Sequence, residues 1–350
     1  MKKLDLILLF GGRSSEHEVS RRSVYAVYSN LDKEKYNVSL VGITKEGKWY
    51  LYKGDPAAIP DGSWEKDPMY LAPVTPDVGG QSRSFLVLAE EGVYTIPADV
   101  VFPVLHGAEG EDGKLQGIFD AASIPYVGCG CTASAVSMDK SITKAMIDRT
   151  SVPQVPSLTV LATEDRSALL ARIEAAFAYP VFVKPANAGS SVGASKAEDR
   201  ASLAVALDVA AKEDPKIIVE EFVRAREVEV AVLGNEEPEA TVPGEIAPGS
   251  DFYDYDTKYN SDTASYYIPA RLPEEMLETI RAYALTVYRT LGCRGLSRVD
   301  FFVRDDREIF FNEINTLPGF TSISMYPKLW GAEGTSFSAL LDRLIELAQK

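Results

Sequence analysis

The chain has 350 residues, more than one hydrophobic core usually supports, so two or three domains around a shared cleft are expected. Its 46% hydrophobic and 25% charged residues are the balance of a soluble globular protein. The net charge of −15 excludes a general affinity for nucleic acid or an anionic membrane surface, and it means that an anionic substrate needs local Lys and Arg. Three cysteines, Cys129, Cys131 and Cys293, form neither an even disulfide set nor a zinc pattern, which points to a reducing compartment. The N-terminal run MKKLDLILLFGG is broken by Asp5, too short to cross a bilayer and without signal-peptide features, so a cytoplasmic protein is expected.

In chain order, the apolar run Leu4–Phe10 ends at Gly11-Gly12 and reads as a buried parallel strand entering a turn. Ser15 and Glu18 have capping-box spacing, and Val24, Val27, Tyr28 and Leu31 recur at helical intervals. Val38–Ile43 completes a βαβ unit, and residues 53–82, rich in Pro, Gly and Asp, read as surface loop. Val100–Leu105 is a further buried strand ending at His106-Gly107, which closes a doubly wound first domain over residues 1–135. Thr132–Thr150 is helical in composition, and a small α+β unit runs to residue 224, with strands at 157–161, 181–184 and 216–223 and helices at 166–178 and 198–211. The remainder, 225–350, holds a strand at 227–233, a polar Tyr-rich stretch at 248–267, a helix over Leu272–Leu291, two strands and a terminal helix. The fold class is therefore α/β with α+β parts.

GLSRVDFFV and REIFFNEIN flank Asp305-Asp306, a hairpin signal. A turn centred there pairs Asp300 with Phe311 and Arg298 with Glu313, and strand alternation puts Arg298, Asp300, Glu313 and Asn315 on one face. Two carboxylates and an amide oxygen suit a hard cation such as Mg²⁺, although a solvated hairpin face explains the same residues. Asn315-Thr316-Leu317-Pro318-Gly319 follows, a turn whose N–H groups can meet an oxyanion. KPANAGSSVG begins with Lys184 at a strand's C-terminal end and continues into Gly189, Ser190, Ser191 and Gly193; it suits either a phosphate or an ordinary flexible turn, and it is not a Walker A loop. No GxGxxG follows the first strand, which counts against a nicotinamide-dependent oxidoreductase. Two distant histidines, His17 and His106, do not make a zinc site.

Taken in order, GGRSSEHEVS, HGAEGEDG, MDK, KPANAGSSVG, EEFV with Glu227, FYDYDTKYNSD, SRVDFF and NEINTLPGFTSISMYP resemble the D-alanine–D-alanine ligases, ATP-grasp enzymes of cell-wall precursor synthesis, over residues 4 to 345. The resemblance implies a Rossmann-like domain at 1–135 for the first D-alanine, a central ATP-grasp subdomain at 136–224 and a C-terminal one at 225–350 with a lid at 248–267. It implies that ATP phosphorylates one D-alanine and that the amine of a second attacks the acyl phosphate. By the same match Asp300, Glu313 and Asn315 hold two Mg²⁺ ions, with Mn²⁺ as a substitute. Lys140, Lys184 and Ser191 take the ATP phosphates, and Glu220, Glu221, Val223 and Glu227 the adenosine end. Glu16 receives the first ammonium and starts a chain through Ser190 to Tyr259. Arg298 and the Gly319 N–H meet the oxyanion, and Lys258 reaches the transferred phosphate. His106 lines the first substrate's pocket, while Ser324 and Met325 form the second. A homodimer is the family expectation. Apolar Met325 and the Lys258-Tyr259 pair favour D-alanine as acceptor over D-serine or D-lactate, and the intact polar set argues against a noncatalytic D-amino-acid-binding protein.

Overall fold

The structure, a computed structural model, describes residues 2–80, 82–247, 265–321 and 323–350. Three sheets divide the chain. The first holds β1 (Leu4–Gly11), β2 (Tyr36–Ile43), β3 (Trp49–Tyr52), β4 (Leu71–Pro76), β5 (Ser84–Ala89), β6 (Gly92–Pro97) and β7 (Val100–Pro103), in the order β6-β5-β4-β3-β2-β1-β7. Only β2, β1 and β7 run parallel, and β3 to β6 extend the sheet as antiparallel neighbours. The parallel, doubly wound expectation thus covers three of the seven strands of this sheet.

Residues 53–82 are not simple loop. They include three 3₁₀ turns and β4, and Trp64 is fully buried, edge-on to Phe10 at 4.9 Å. Pro and Gly in this stretch punctuate short elements without forming a linker. The α1 helix (His17–Asn30) has Glu16 at its N-cap and no side-chain cap bond, so the Ser15–Glu18 capping box does not form. The neighbouring side chains are committed elsewhere: Ser14 donates to the His106 carbonyl at 2.6 Å, and Glu16 accepts from Ser190.

α2 (Lys114–Ala121) follows β7, and the long helix expected at 132–150 is two helices, α3 (Cys131–Met138) and α4 (Lys140–Ile147). Asp139 breaks them because its carboxylate caps α4, accepting from the Ser141 and Ile142 N–H groups. The second sheet has β8 (Ser157–Leu161), β9 (Val181–Pro185), β10 (Ser195–Ala197) and β11 (Lys216–Glu221) in the order β10-β9-β11-β8, backed by α5 (Arg166–Ala176) and α6 (Arg200–Glu213). Its core, around Ile173, Val183, Leu207 and Val219, is separate from the others.

The third sheet is built from β12 (Arg226–Leu233), β13 (Glu239–Ala240), β14 (Gly244–Ala247), β15 (Ser265–Tyr267), β16 (Leu296–Arg304) and β17 (Glu308–Asn315), with the path β15-β14-β12-β16-β17. α7 (Glu274–Thr290) packs on it, and the terminal helix expected from sequence is two, α8 (Met325–Ala332) and α9 (Phe337–Ala348). One core joins the first and third sheets: Phe10, Val27 and Phe102 pack with Leu233, Phe320, Tyr326 and Leu344. Where the two meet, Gly295 lies so near Gly128 that a Cβ on it would stand 3.1 Å from the Gly128 nitrogen.

Candidate active site

The hairpin that carries the proposed ligands is closed by Arg304 and Glu308, leaving a turn of Asp305, Asp306 and Arg307. Asp305 and Asp306 take the left-handed conformation, with φ of 52 and 53°. A bulge between Asp300 and Phe301 adds one more residue, so Arg298 pairs with Asn315 and Asp300 with Glu313. The expected register was therefore off by two. Because side chains alternate with period two, a slip of two keeps all four residues on the predicted face.

β12 adds a third carboxylate. Glu229 lies opposite Asp300, which lies opposite Glu313, a row of three acids across three strands. Like charges directly opposite destabilise a sheet, so the row needs cations. Arg298 supplies one: Nε and a terminal nitrogen reach the Asp300 oxygens at 2.8 and 2.7 Å, and Nε lies 3.1 Å from Glu229. Burial works against the guanidinium, but Asp300 and Glu229 hold its charge firmly. Asn315 donates to Asp300 at 2.9 Å, and Lys140 lies 3.6 Å from Glu313. No cluster of three His, Cys, Asp or Glu side chains close enough to hold a metal occurs among the described residues. The donor set of Asp300, Glu313 and an amide nevertheless fits a hard cation, which would relieve the row that two basic side chains now balance.

Lys184 lies next to the last residue of β9, and its ammonium comes within 3.5 Å of the Asn312 amide oxygen on β17. The residue is 7% exposed; its ammonium sits 2.9 Å from Glu220, and Lys144 approaches the same carboxylate at 2.8 Å. Burial opposes the charge on Glu220, yet the two lysines hold its carboxyl below the usual range. Two ammoniums on one carboxylate leave a buried surplus of positive charge at the edge of a cavity. That cavity is lined by Lys140, Lys184, Ser191, Glu220, Glu221, Val223, Glu227 and Glu313, with Phe182, Phe222 and Phe302 as its apolar walls. Every residue expected at the nucleotide is thus gathered in one place. Glu221 also faces Arg304 at 3.4 Å.

The loop 186–194 lies between this cavity and a second one. Lys140 donates to the Ala188 carbonyl at 2.7 Å, and Ser190 donates to Glu16 at 2.5 Å. Ser190 and Ser191, not Gly189, carry positive φ, at 48 and 58°. Gly189 matters for space: a Cβ there would stand 2.9 Å from a Glu16 oxygen.

The second cavity gathers Glu16, His106, Glu111, Ser190, Glu229, Tyr266, Arg298, Glu313, Asn315, Gly319, Ser324 and Met325. His106 does more than line it. Its Nδ1 lies 2.9 Å from the Leu317 carbonyl, which only accepts, so Nδ1 carries the hydrogen and Nε2 accepts from Ser23 at 3.2 Å. Burial lowers the affinity of the ring for a second proton, against the pull of Glu16. Ser324, at the N-cap of α8, makes no capping bond; its Oγ accepts from the Thr321 N–H at 3.0 Å and meets the Thr321 hydroxyl at 2.8 Å. Lys258 and Tyr259 lie outside the described residues, as does most of the expected lid; its last three residues form β15, paired with β14.

Sequence reasoning passed over Lys144, Glu229, Glu111 and Tyr266. Glu229 was visible as an acidic residue inside the apolar alternation EVEVAVL, and Glu111 as the acid of GEDG. The partners of both lie far along the chain.

Two sheets facing one another over a lysine-lined cavity, with carboxylates on the opposing hairpin, define an ATP-grasp enzyme. Residues 5–129 match the family described as D-ala D-ala ligase N-terminus, and 146–346 the one described as D-ala D-ala ligase C-terminus. The chain is 48% identical to the D-alanine–D-alanine ligase of Acetivibrio thermocellus and 49% to that of Ruminiclostridium cellulolyticum, in each case over 99% of this chain and 96% of the relative. Among solved structures it is similar to the VanG D-Ala:D-Ser ligase from Enterococcus faecalis, with a TM-score of 0.91 and 40% identity over 99% of this chain and 100% of that one. It is also similar to the D-alanine-D-alanine ligase from Coxiella burnetii, with a TM-score of 0.88 and 34% identity over 100% and 94%. The chain belongs to the D-alanine–D-alanine ligase family.

Proposed function

We propose that this chain joins two D-alanines at the expense of ATP, releasing ADP and phosphate, for peptidoglycan precursor synthesis. The observation that carries the reading is the pair of adjoining cavities: one rich in lysine, the other holding Glu16 and Arg298, with Glu313 in the wall of both. Such a wall is where a terminal phosphate and a substrate carboxylate would meet.

The first D-alanine places its ammonium at Glu16. Its carboxylate oxygen attacks the γ-phosphorus, the bond to the ADP oxygen breaks, and Lys140 and Lys184 offset the charge on the phosphates. The second D-alanine's amine, having lost a proton, attacks the acyl carbon. Arg298 and the Gly319 N–H stabilise the tetrahedral oxyanion until phosphate departs. Ser324 holds the second carboxylate, and Val223, Glu221 and Glu227 hold the adenosine. Asp300, Glu313 and Asn315 would hold Mg²⁺, which supplies charge neutralisation between nucleotide phosphates. Exclusion of water protects the acyl phosphate from hydrolysis.

The test is release of phosphate from ATP that depends on D-alanine, with D-serine and D-lactate as rival acceptors across pH. A preference for D-lactate at neutral pH would overturn the D-alanine assignment. A D-serine reading is kept because of the similarity to the D-Ala:D-Ser ligase; Met325, an apolar wall 3% exposed, speaks for D-alanine. The reading includes a homodimer, checked by sedimentation, and a cytoplasmic location; no helix among the described residues is long and apolar enough to cross a membrane.

A further inference from the structure

Leu317 lies two residues before the Gly319 N–H, and both polar groups of its own backbone are held by side chains of the loop after β7. Glu111 accepts the Leu317 N–H at 2.9 Å, and His106 donates to the Leu317 carbonyl at 2.9 Å. The other Glu111 oxygen accepts the Gly107 N–H at 2.7 Å. One carboxylate therefore bridges a turn on the first sheet and the loop leaving β17 on the third. Two more contacts follow the same line: Ser23 accepts from the Phe320 N–H at 3.5 Å and donates to His106. Glu16 closes the arrangement, because a Cβ on Gly107 would stand 2.8 Å from its carboxylate.

We propose that Glu111 is a positioning residue for the oxyanion donor: its carboxylate ties Leu317 to the Gly107 turn and so fixes the aim of the Gly319 N–H relative to Glu16. A hydrogen-bond donor stabilises developing charge only if it is aimed before the charge appears, and a loop with free backbone groups would reorganise at that moment. The Gly107 turn is packed against the carboxylate that takes the first substrate's ammonium. The same bridge therefore sets the distance between the substrate's bound end and its reacting end. Burial and the nearby Glu16 push the Glu111 carboxyl up to about 8, while the Gly107 and Leu317 N–H groups and Arg298 act against them. The bridge stands on the two contacts and not on charge, because the oxygens of either protonation form keep lone pairs for the Gly107 and Leu317 N–H groups.

The inference rests on the ligase reading only for its kinetic consequence; the bridge itself is tested without turnover. In Glu111→Gln one oxygen becomes an NH₂ group facing an N–H donor, so one of the two bonds is lost. Amide hydrogen exchange of the segment 316–320 in the unliganded protein is expected to quicken at least ~10-fold, with residues 181–185 unchanged. In turnover, kcat is expected to fall about 100-fold, the usual loss for one oxyanion donor, while KM for ATP stays within about twofold. Glu111→Asp, too short to span both N–H groups, should shift both readouts in the same direction, and it serves if the Gln variant does not fold. Unchanged exchange at 316–320 overturns the bridge. Exchange that quickens with kcat intact overturns the positioning role, and a parallel loss of ATP affinity does the same. An inactive wild type would instead refute the ligase reading and leave the exchange result standing.

Discussion

Arg298 serves two carboxylates at once, and its loyalty decides what a substitution at Asp300 costs. Removing one partner of a buried ion pair usually costs about 3–5 kcal/mol because the other charge is stranded. Here Glu229 remains at 3.1 Å, so Asp300→Asn is expected to unfold within about 1 kcal/mol of wild type in urea. The same variant should lose D-alanine-dependent phosphate release by about 100-fold or more. Lys144 makes a different case. Its removal leaves Glu220 and Lys184 as a neutral pair, and Lys144→Met is expected to raise KM for ATP about tenfold with KM for D-alanine unchanged in steady-state assays. Glu111 carries a pH signature. Its folded carboxyl, at about 8, lies above the ordinary value of 4.5, so between them the folded state holds a proton that the unfolded chain has lost. Stability should therefore fall as pH rises from about 5 to 8, and in Glu111→Gln, followed by thermal melting at each pH, that slope should flatten.

At the scale of elements, parity explains why a wrong register still yielded the right face. The turn is one residue longer than Asp305-Asp306 suggests, and the bulge adds a second shift, invisible in the sequence because nothing in VDFF marks it. One error alone would have turned Asp300 and Glu313 to opposite sides. Asp305 takes a left-handed conformation that glycine accepts without strain, so Asp305→Gly should raise unfolding free energy by about 0.5–1 kcal/mol, measured in urea; Asp306 is unsuitable because it pairs with Arg226. β1 was legible as a continuous apolar run buried on both faces, and α1 and α7 because each buries a stripe at helical spacing. The capping box failed because Glu18 is taken by Lys45 and the N-cap falls one residue later, at Glu16, whose carboxylate accepts from Ser190, 174 positions away. Residues 53–82 misled because Trp64 finds its core in β1, not beside itself. Lys140, Lys184 and the hairpin acids stood out in short motifs, whereas Glu229 and Glu111 acquire meaning only from strand pairing and loop contact.

In the whole molecule the three sheets are joined unequally. The first and third share an apolar core, while the second keeps its own and reaches the others at the cleft through Lys140, Ser190 and the contact of Lys184 with Asn312. At one point of the junction between the first and third, the backbones of Gly128 and Gly295 cross closely. Gly295 has a φ of 67° and a Cβ on it would crowd the Gly128 backbone at 3.1 Å, so Gly295→Ala is expected to cost about 2 kcal/mol, read from denaturant unfolding. Glu313 has a consequence of another kind. It alone among the described residues lines both cavities, so it works as a gatepost for any molecule long enough to occupy both rooms. An inhibitor threaded through would need a flat apolar head for Phe182 and Phe222, and an ammonium tail for Glu16. Between them it would need a cationic waist, since a carboxylate stands in the doorway.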